Sequence, residues 1–112
     1  MSAPRLNRQL VLEAPDMLRD GAGGFVQGWV PLGTMWGAIT ARSGRETAQS
    51  GAPVSRMAYR VIVRGAPAGS DRRPAAQQRF REGDRIFTIE AVAEHDPDGR
   101  YLACFVQEEQ VV

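Results

Sequence analysis

Apolar positions along this chain alternate with polar ones far more often than they recur at the spacing of a helical face, so the pattern predicts β-strands. Leu6 to Glu13, with its Leu10-Val11-Leu12 run, reads as a first strand. Asp20 to Gly24 gathers residues that accept positive φ and predicts a turn. Phe25 to Val30 and Met35 to Ala41 are aromatic and β-branched, broken by Pro31-Leu32-Gly33, which predicts two short strands or one interrupted strand. Arg56 to Arg64 has the cleanest alternation. Met57, Tyr59, Val61 and Val63 fall on one face, while Arg56, Ala58, Arg60, Ile62 and Arg64 fall on the other.

Glu82-Gly83-Asp84 predicts a tight turn into Arg85 to Ala93, where Phe87, Ile89, Ala91 and Ala93 oppose Ile86, Thr88, Glu90 and Val92. Asp96-Pro97-Asp98-Gly99 has proline and glycine where a type I turn prefers them. It returns the chain as Tyr101 to Gln107, with Leu102, Cys104 and Val106 on one face, so these last two strands form a hairpin. Two stretches lack alternation. Arg42 to Ser55 is polar and predicts a long loop, with at most one helical turn around Glu46 to Gln49. Gly65 to Gln78 is rich in glycine, alanine and proline and has the composition of a flexible loop. The expectation is a single all-β domain over residues 1–112, a small β-barrel or sandwich of five to seven short strands. It carries long loops at about 42–55 and 65–78 and at most one short helix.

Composition narrows the function classes. With 112 residues, 43% hydrophobic and 24% charged, the chain has a globular balance. No run approaches the roughly 18 apolar residues of a membrane span, and the opening residues turn polar too soon for a secretory signal. The one cysteine, Cys104, forms no internal disulfide and suits a reducing cytoplasm. All 14 basic residues are arginine, and the net charge of +1 excludes a generic polycation. That small sum hides a division. Arg56 to Arg85 has eight arginines against Asp71, Glu82 and Asp84, a balance of +5. Ile86 to Val112 has Arg100 against Glu90, Glu94, Asp96, Asp98, Glu108 and Glu109, a balance of −5. Opposite charges can pair across neighbouring strands of one subunit, or an acidic edge of one copy can meet a basic edge of the next.

Candidate chemistry is sparse. His95, the sole histidine, sits at a turn with no nucleophile elbow in the chain. Cys104 reads as a buried small hydrophobe. One histidine and one cysteine make no zinc set, and Asp96 and Asp98 lack calcium-loop spacing. Gly21-Ala22-Gly23-Gly24 is followed by no lysine and is better explained as a hairpin turn than as a phosphate loop. Trp29 and Trp36 have the size and spacing of core or subunit-interface residues, with base stacking as the alternative. Arg60 and Arg64 share one strand face, either a phosphate-contacting row or a solvated one. Neither an enzyme nor a bound cofactor or metal is expected.

The order of these features resembles a family. A leucine-containing strand leads to Asp20-Gly-Ala-Gly-Gly24, then Trp29 and Met35-Trp36-Gly37-Ala38-Ile39, a polar loop, and Tyr59-Arg60-Val61-Ile62-Val63-Arg64. Phe80-Arg-Glu-Gly-Asp-Arg-Ile-Phe-Thr-Ile89 and Tyr101-Leu102-Ala103-Cys104 complete the series. From Leu6 to Glu108 the chain resembles the head–tail adaptor or head-closure (stopper) proteins of long-tailed phages, especially those of alphaproteobacterial gene transfer agents. It departs from them in its alanine- and arginine-rich loop from Gly65 to Arg79.

The resemblance implies a ring between the portal or adaptor complex and the tail, sixfold or alternatively twelvefold. Such a ring retains packaged double-stranded DNA and meets the tail terminator. It also implies assembly in the bacterial cytoplasm followed by residence in the particle neck, with no membrane partner. By position, Arg42, Arg45, Glu46 and Gln49 become candidates for a channel or gating loop. Arg60, Arg64, Arg72 and Arg73 become candidate basic interface or channel residues, and Glu90, Glu94, Glu108 and Glu109 candidate acidic interface residues. The competing expectation is a small-barrel nucleic-acid-binding module using Arg56 to Arg85 and the tryptophans.

Overall fold

A computed structural model describes residues 3–49 and 52–111, with the side chains of 43–49, 52–56 and 109–111 outside the described residues. Six strands follow the alternation of the sequence: β1 (Arg8–Arg19), β2 (Phe25–Gln49), β3 (Ala52–Arg64), β4 (Arg79–Glu82), β5 (Arg85–Glu94) and β6 (Tyr101–Val111). No helix occurs among the described residues. All pairings are antiparallel, in the order β1-β2-β3-β6-β5-β4. The sheet closes into a barrel where β4 returns to β1 through Val11↔Arg81, Leu12↔Phe80 and Glu13↔Arg79.

Closure follows from the inward residues. Leu10, Leu12, Val61, Val63, Phe80, Phe87, Ile89, Leu102, Cys104 and Val106 are each at most 1% exposed and form one core. Burying each large apolar side chain contributes on the order of 1.5–3 kcal/mol. Every one of the six strands except the long β2 contributes to this set, and β2 supplies Leu32, Met35 and Ile39 packed against it. The alternation in β3 and β6 therefore predicts the core faces correctly, including Cys104 as a buried small hydrophobe, while the Leu10-Val11-Leu12 run predicts the strand without its face.

The hairpins use the expected turns. Gly83 adopts φ +60° between Glu82 and its ladder partner Arg85, as the first central residue of a type II′ turn does. Between β5 and β6 the Gly99 N–H donates to the Asp96 carbonyl at 3.1 Å, and the Asp96 carboxylate accepts the N–H groups of Arg100 and Tyr101.

Of three expectations, two need correction and one open alternative is decided. Residues 42–49 and 52–55 are strand rather than loop or helical turn, because β2 pairs with β3 through Gln49↔Ala52 and β3 pairs with β6 through Val54↔Val111. Backbone pairing to neighbours decides there, where a small polar composition carries no strong preference. Phe25–Ala41 is part of one 25-residue strand rather than two, interrupted as the alternative expected: Leu32 is a bulge between the pairs Leu12↔Gly33 and Glu13↔Pro31. The third concerns phase: a register shift between Ile89 and Ala91 turns Ala91 and Ala93 outward and half-buries Val92 against the core, inverting the faces expected there.

The second expected loop, 65–78, is free of strand but tied down. The Gly65 N–H donates to the Arg100 carbonyl at 2.7 Å, Arg73 Nη1 donates to the Ala66 carbonyl, and Pro74 is fully buried. Gln77, at φ +74°, holds a left-handed conformation while its N–H donates to the Ile89 carbonyl.

Two ribbons leave the closed section. β1 beyond Glu13 pairs only with β2, so residues 14–30 make a two-stranded hairpin. The far halves of β2 and β3, flanked by the end of β6, make the other. Their reach explains a radius of gyration of 15.5 Å, against about 13 Å for a compact chain of this length.

Candidate functional site: ion-pair plugs, exposed arginines and an apolar hairpin

The barrel interior offers no passage. Besides the apolar core, one mouth of the closed sheet is filled by a chain of ion pairs. Glu108 faces Phe87 across the β5–β6 ladder and is only 4% exposed. Arg85 donates to it twice, Nε to Oε2 at 2.8 Å and Nη2 to Oε1 at 3.0 Å, and lies over the Phe87 ring at 4.9 Å. Tyr59 packs edge-on against Phe87 with centroids 5.5 Å apart. Arg85 also reaches Glu82 at 3.6 Å, and Glu82 accepts two hydrogen bonds from Arg8 at 2.7 and 2.6 Å. These hydrogen bonds from Arg8 hold the Glu82 carboxyl below its ordinary range, and the bond to Glu108 raises the Arg85 guanidinium above its own.

A second cluster lies on the outer face where the sheet closes. Glu13, 6% exposed, is opposite Arg79 in the β1–β4 ladder. It accepts Arg79 Nε at 2.7 Å and Arg81 Nε at 3.0 Å, while Arg79 stacks over the Trp29 ring at 4.0 Å. Burial alone would push the Glu13 carboxyl up, but the two arginine hydrogen bonds outweigh it and its net shift is downward. Sequence reasoning missed this cluster, since its members are 66 and 68 residues apart and only closure of the sheet joins them.

The expected site residues fall in different places. Arg42 is exposed and its guanidinium sits 5.0 Å from the Phe105 centroid. Arg45, Glu46 and Gln49 are on the β2 ribbon opposite Arg56, Ser55 and Ala52, and their side chains lie outside the described residues. Arg60, Arg64 and Arg72 are exposed, and among the described residues none of them makes an ion pair. Arg64 and Arg72 line one cleft, to which Arg60 does not belong. Arg73 is half-buried and pins its loop through Ala66.

Glu90 and Glu94 are exposed on β5. Glu108, expected on an acidic interface, is instead buried with Arg85, so its charge is neutralised inside the chain. Glu109 is opposite Arg56 in the β3–β6 ladder, with its side chain outside the described residues. The +5/−5 division is thus resolved within one subunit for Arg85 and Glu108. Neither tryptophan joins the core: Trp36 is 53% exposed, and Trp29 is half-buried beneath Arg79.

Catalytic chemistry has little to work with among these groups. Cys104 is fully buried, and burial pushes its thiol up to about 12 despite the nearby Arg73 charge. His95 is exposed and meets only the edge of Tyr101, 6.4 Å between centroids. Among the described residues no group of three His, Cys, Asp or Glu side chains is placed to hold a metal ion.

What the surface does offer is apolar. Met17, Leu18, Phe25 and Val26, at the end of the β1–β2 hairpin, are 61, 44, 60 and 50% exposed. They flank a turn in which the Asp20 carboxylate accepts the N–H groups of Ala22 and Gly24. These hydrogen bonds lower the Asp20 carboxyl from its ordinary value and keep it charged. Where β2 passes from this hairpin into the closed section, a cleft of about 510 Å³ is lined by Leu6, Leu32, Met35 and Trp36.

Comparison with known proteins places this architecture. A chain from the virion of a native gene transfer agent particle is 49% identical, with a TM-score of 0.87, over 98% of this chain and 100% of that one. A Shigella flexneri 2a protein solved in solution shares the fold at 18% identity and a TM-score of 0.66, over 96% of both chains. No curated protein matches. The family model for phage head completion proteins matches residues 1–109. With that match spanning nearly the whole closed sheet and both ribbons, the chain belongs to the phage head completion protein family.

Proposed function

We propose that this chain is a structural subunit of a ring that closes the DNA-filled head of a phage-like gene transfer particle. The ring lies between the portal or adaptor complex and the tail, retains the packaged duplex and presents a surface to the tail terminator. Six copies form it, with twelve as the alternative. Assembly takes place in the bacterial cytoplasm, and the protein then stays in the particle neck. The observation that carries this reading is the 49% identity, end to end, with a chain of a gene transfer agent virion.

The geometry supports it in one respect. Because the barrel bore is packed with side chains and plugged by Arg8, Glu82, Arg85 and Glu108, no duplex passes through a single subunit. A channel must then lie between copies, on a ring axis. Exposed Arg60, Arg64 and Arg72 suit its lining or its subunit contacts, and the β2–β3 ribbon bearing Arg42, Arg45, Glu46 and Gln49 suits a projection toward the lumen. A few dispersed arginines attract the phosphate backbone without gripping it, which a conduit requires.

Cryo-electron microscopy of purified particles tests the proposal. The expected result is six or twelve copies of this fold around the neck axis, with the β2–β3 ribbon toward the DNA. Particles that lack the chain, or that carry it only on the capsid shell, would overturn it.

A further inference from the structure

A head-to-tail ring needs two different surfaces on each subunit that fit one another, and the chain carries such a pair. Resting on the head-completion reading, we infer that the end of the β1–β2 hairpin of one copy seats in the cleft beside Trp36 of a second copy of this chain.

The hairpin end is unusual for a monomer. Two-stranded ribbons are marginally stable by themselves, yet this one holds Met17 and Phe25 on one face and Leu18 and Val26 on the other, all largely exposed. Large exposed apolar residues on both faces of a projecting ribbon mark an interaction site. The cleft offers the matching half: Leu6, Leu32 and the half-exposed Trp36 give it apolar lining, and Arg64, Asp71 and Arg72 add charge to it.

Charge selects the partner. The hairpin end bears Asp16, Arg19 and Asp20, all exposed, a balance of −1, and the cleft a balance of +1. Asp16 and Asp20 complement Arg64 and Arg72, and Arg19 complements Asp71, so a second copy satisfies both signs at once. The two surfaces cannot meet within one chain. Val26 and Trp36 are on the same strand, ten residues apart, or roughly 33 Å at the rise of a strand.

Site-directed cross-linking in assembled particles tests this. Phe25→Cys combined with Trp36→Cys, treated with a short bifunctional maleimide, is expected to give a ladder of covalent multimers of this chain extending beyond the dimer. Each single variant is expected to stay monomeric. The native thiol does not interfere, because Cys104 is fully buried. Both substituted positions are more than half exposed, so the core is untouched, and Met17→Cys replaces Phe25→Cys should the latter fail to give folded protein by circular dichroism.

Phe25→Asp is expected to lower the yield of transducing particles about tenfold, the loss that one interface anchor commonly carries. Particles that contain the chain but give no cross-link, or a cross-link to another particle protein, overturn the inference and leave the head-completion reading standing. A product that stops at the dimer overturns it as well, since that indicates reciprocal pairing. Particles without the chain remove both.

Discussion

Glu13 shows how one residue ties the closing seam of the sheet. Its carboxylate is 6% exposed and held by Arg79 and Arg81 from β4, the strand with the fewest residues. Glu13→Ala strands two guanidinium groups at that seam, and the expected loss is about 2 kcal/mol in urea unfolding. pH adds an independent check. The folded Glu13 and Glu82 carboxyls both lie below their ordinary values, so each contributes stability that is complete above an unfolded value of about 4.3. That stability falls away as pH drops through the lower folded values. Wild-type protein should therefore lose melting temperature steeply below about pH 4, and Glu13→Gln should lose less over the same range.

At this scale the sequence was readable where neighbours alternate and opaque where partners are remote. Val61, Val63, Leu102, Cys104 and Val106 were separable from their neighbours by period two alone, whereas the unbroken Leu10-Val11-Leu12 run left the inward face of β1 undecided. Nothing near Glu13 announces Arg79, and nothing near Glu108 announces that Arg85 draws it inside. A glutamate among strand residues looks solvated until the fold supplies its arginine.

Among the elements, the β2–β3 ribbon departs most from the reading of composition. Ser, Gly, Thr, Ala and Gln between Arg42 and Ser55 resemble a loop, yet their backbone groups pair from Ser43↔Ala58 to Gln49↔Ala52. Period two is hidden there because the composition offers no alternating apolar residues, whereas on β5 the apolar face exists and the shift between Ile89 and Ala91 changes its phase. None of the ribbon's described side chains belongs to the ten-residue core, and shortening it is expected to leave stability intact. Arg45 and Arg56 are ladder partners, so replacing Glu46–Ser55 by Asn-Gly keeps the register with a two-residue turn. The expected outcome is a thermal midpoint within a few degrees of wild type, with particles that leak DNA or fail to join tails. Full transducing activity from that variant would remove the gating role proposed for the ribbon.

For the whole molecule, the balance of charge favours the proposed ring component over an independent nucleic-acid binder. Net charge is +1, and Arg8, Arg79, Arg81 and Arg85 are held by glutamates of the same chain. Only dispersed arginines such as Arg60, Arg64 and Arg72 face solvent among the described residues. The isolated chain should bind duplex DNA no more tightly than about 10⁻⁴ M at physiological salt, the weak end of non-specific affinity. Fluorescence anisotropy with a labelled duplex checks this, and submicromolar binding would favour the nucleic-acid-binding module instead.

One strand, β2, runs through both ribbons and the closed section between them. Its 25 residues have a contour of roughly 80 Å at the usual rise, longer than the 51 Å of the molecule's greatest dimension, so it must curve around the sheet. An inserted or deleted residue along that path turns every side chain beyond it to the opposite face, unless a bulge absorbs it as those at Leu32 and Arg42 do. Length variation among relatives should therefore gather at the Asp20–Gly24 turn, the β2–β3 junction and these two bulges, and avoid the regular stretches of β2 between them. In this fold the spacing from one ribbon to the other is inherited as a fixed gauge, while the ends are open to adaptation.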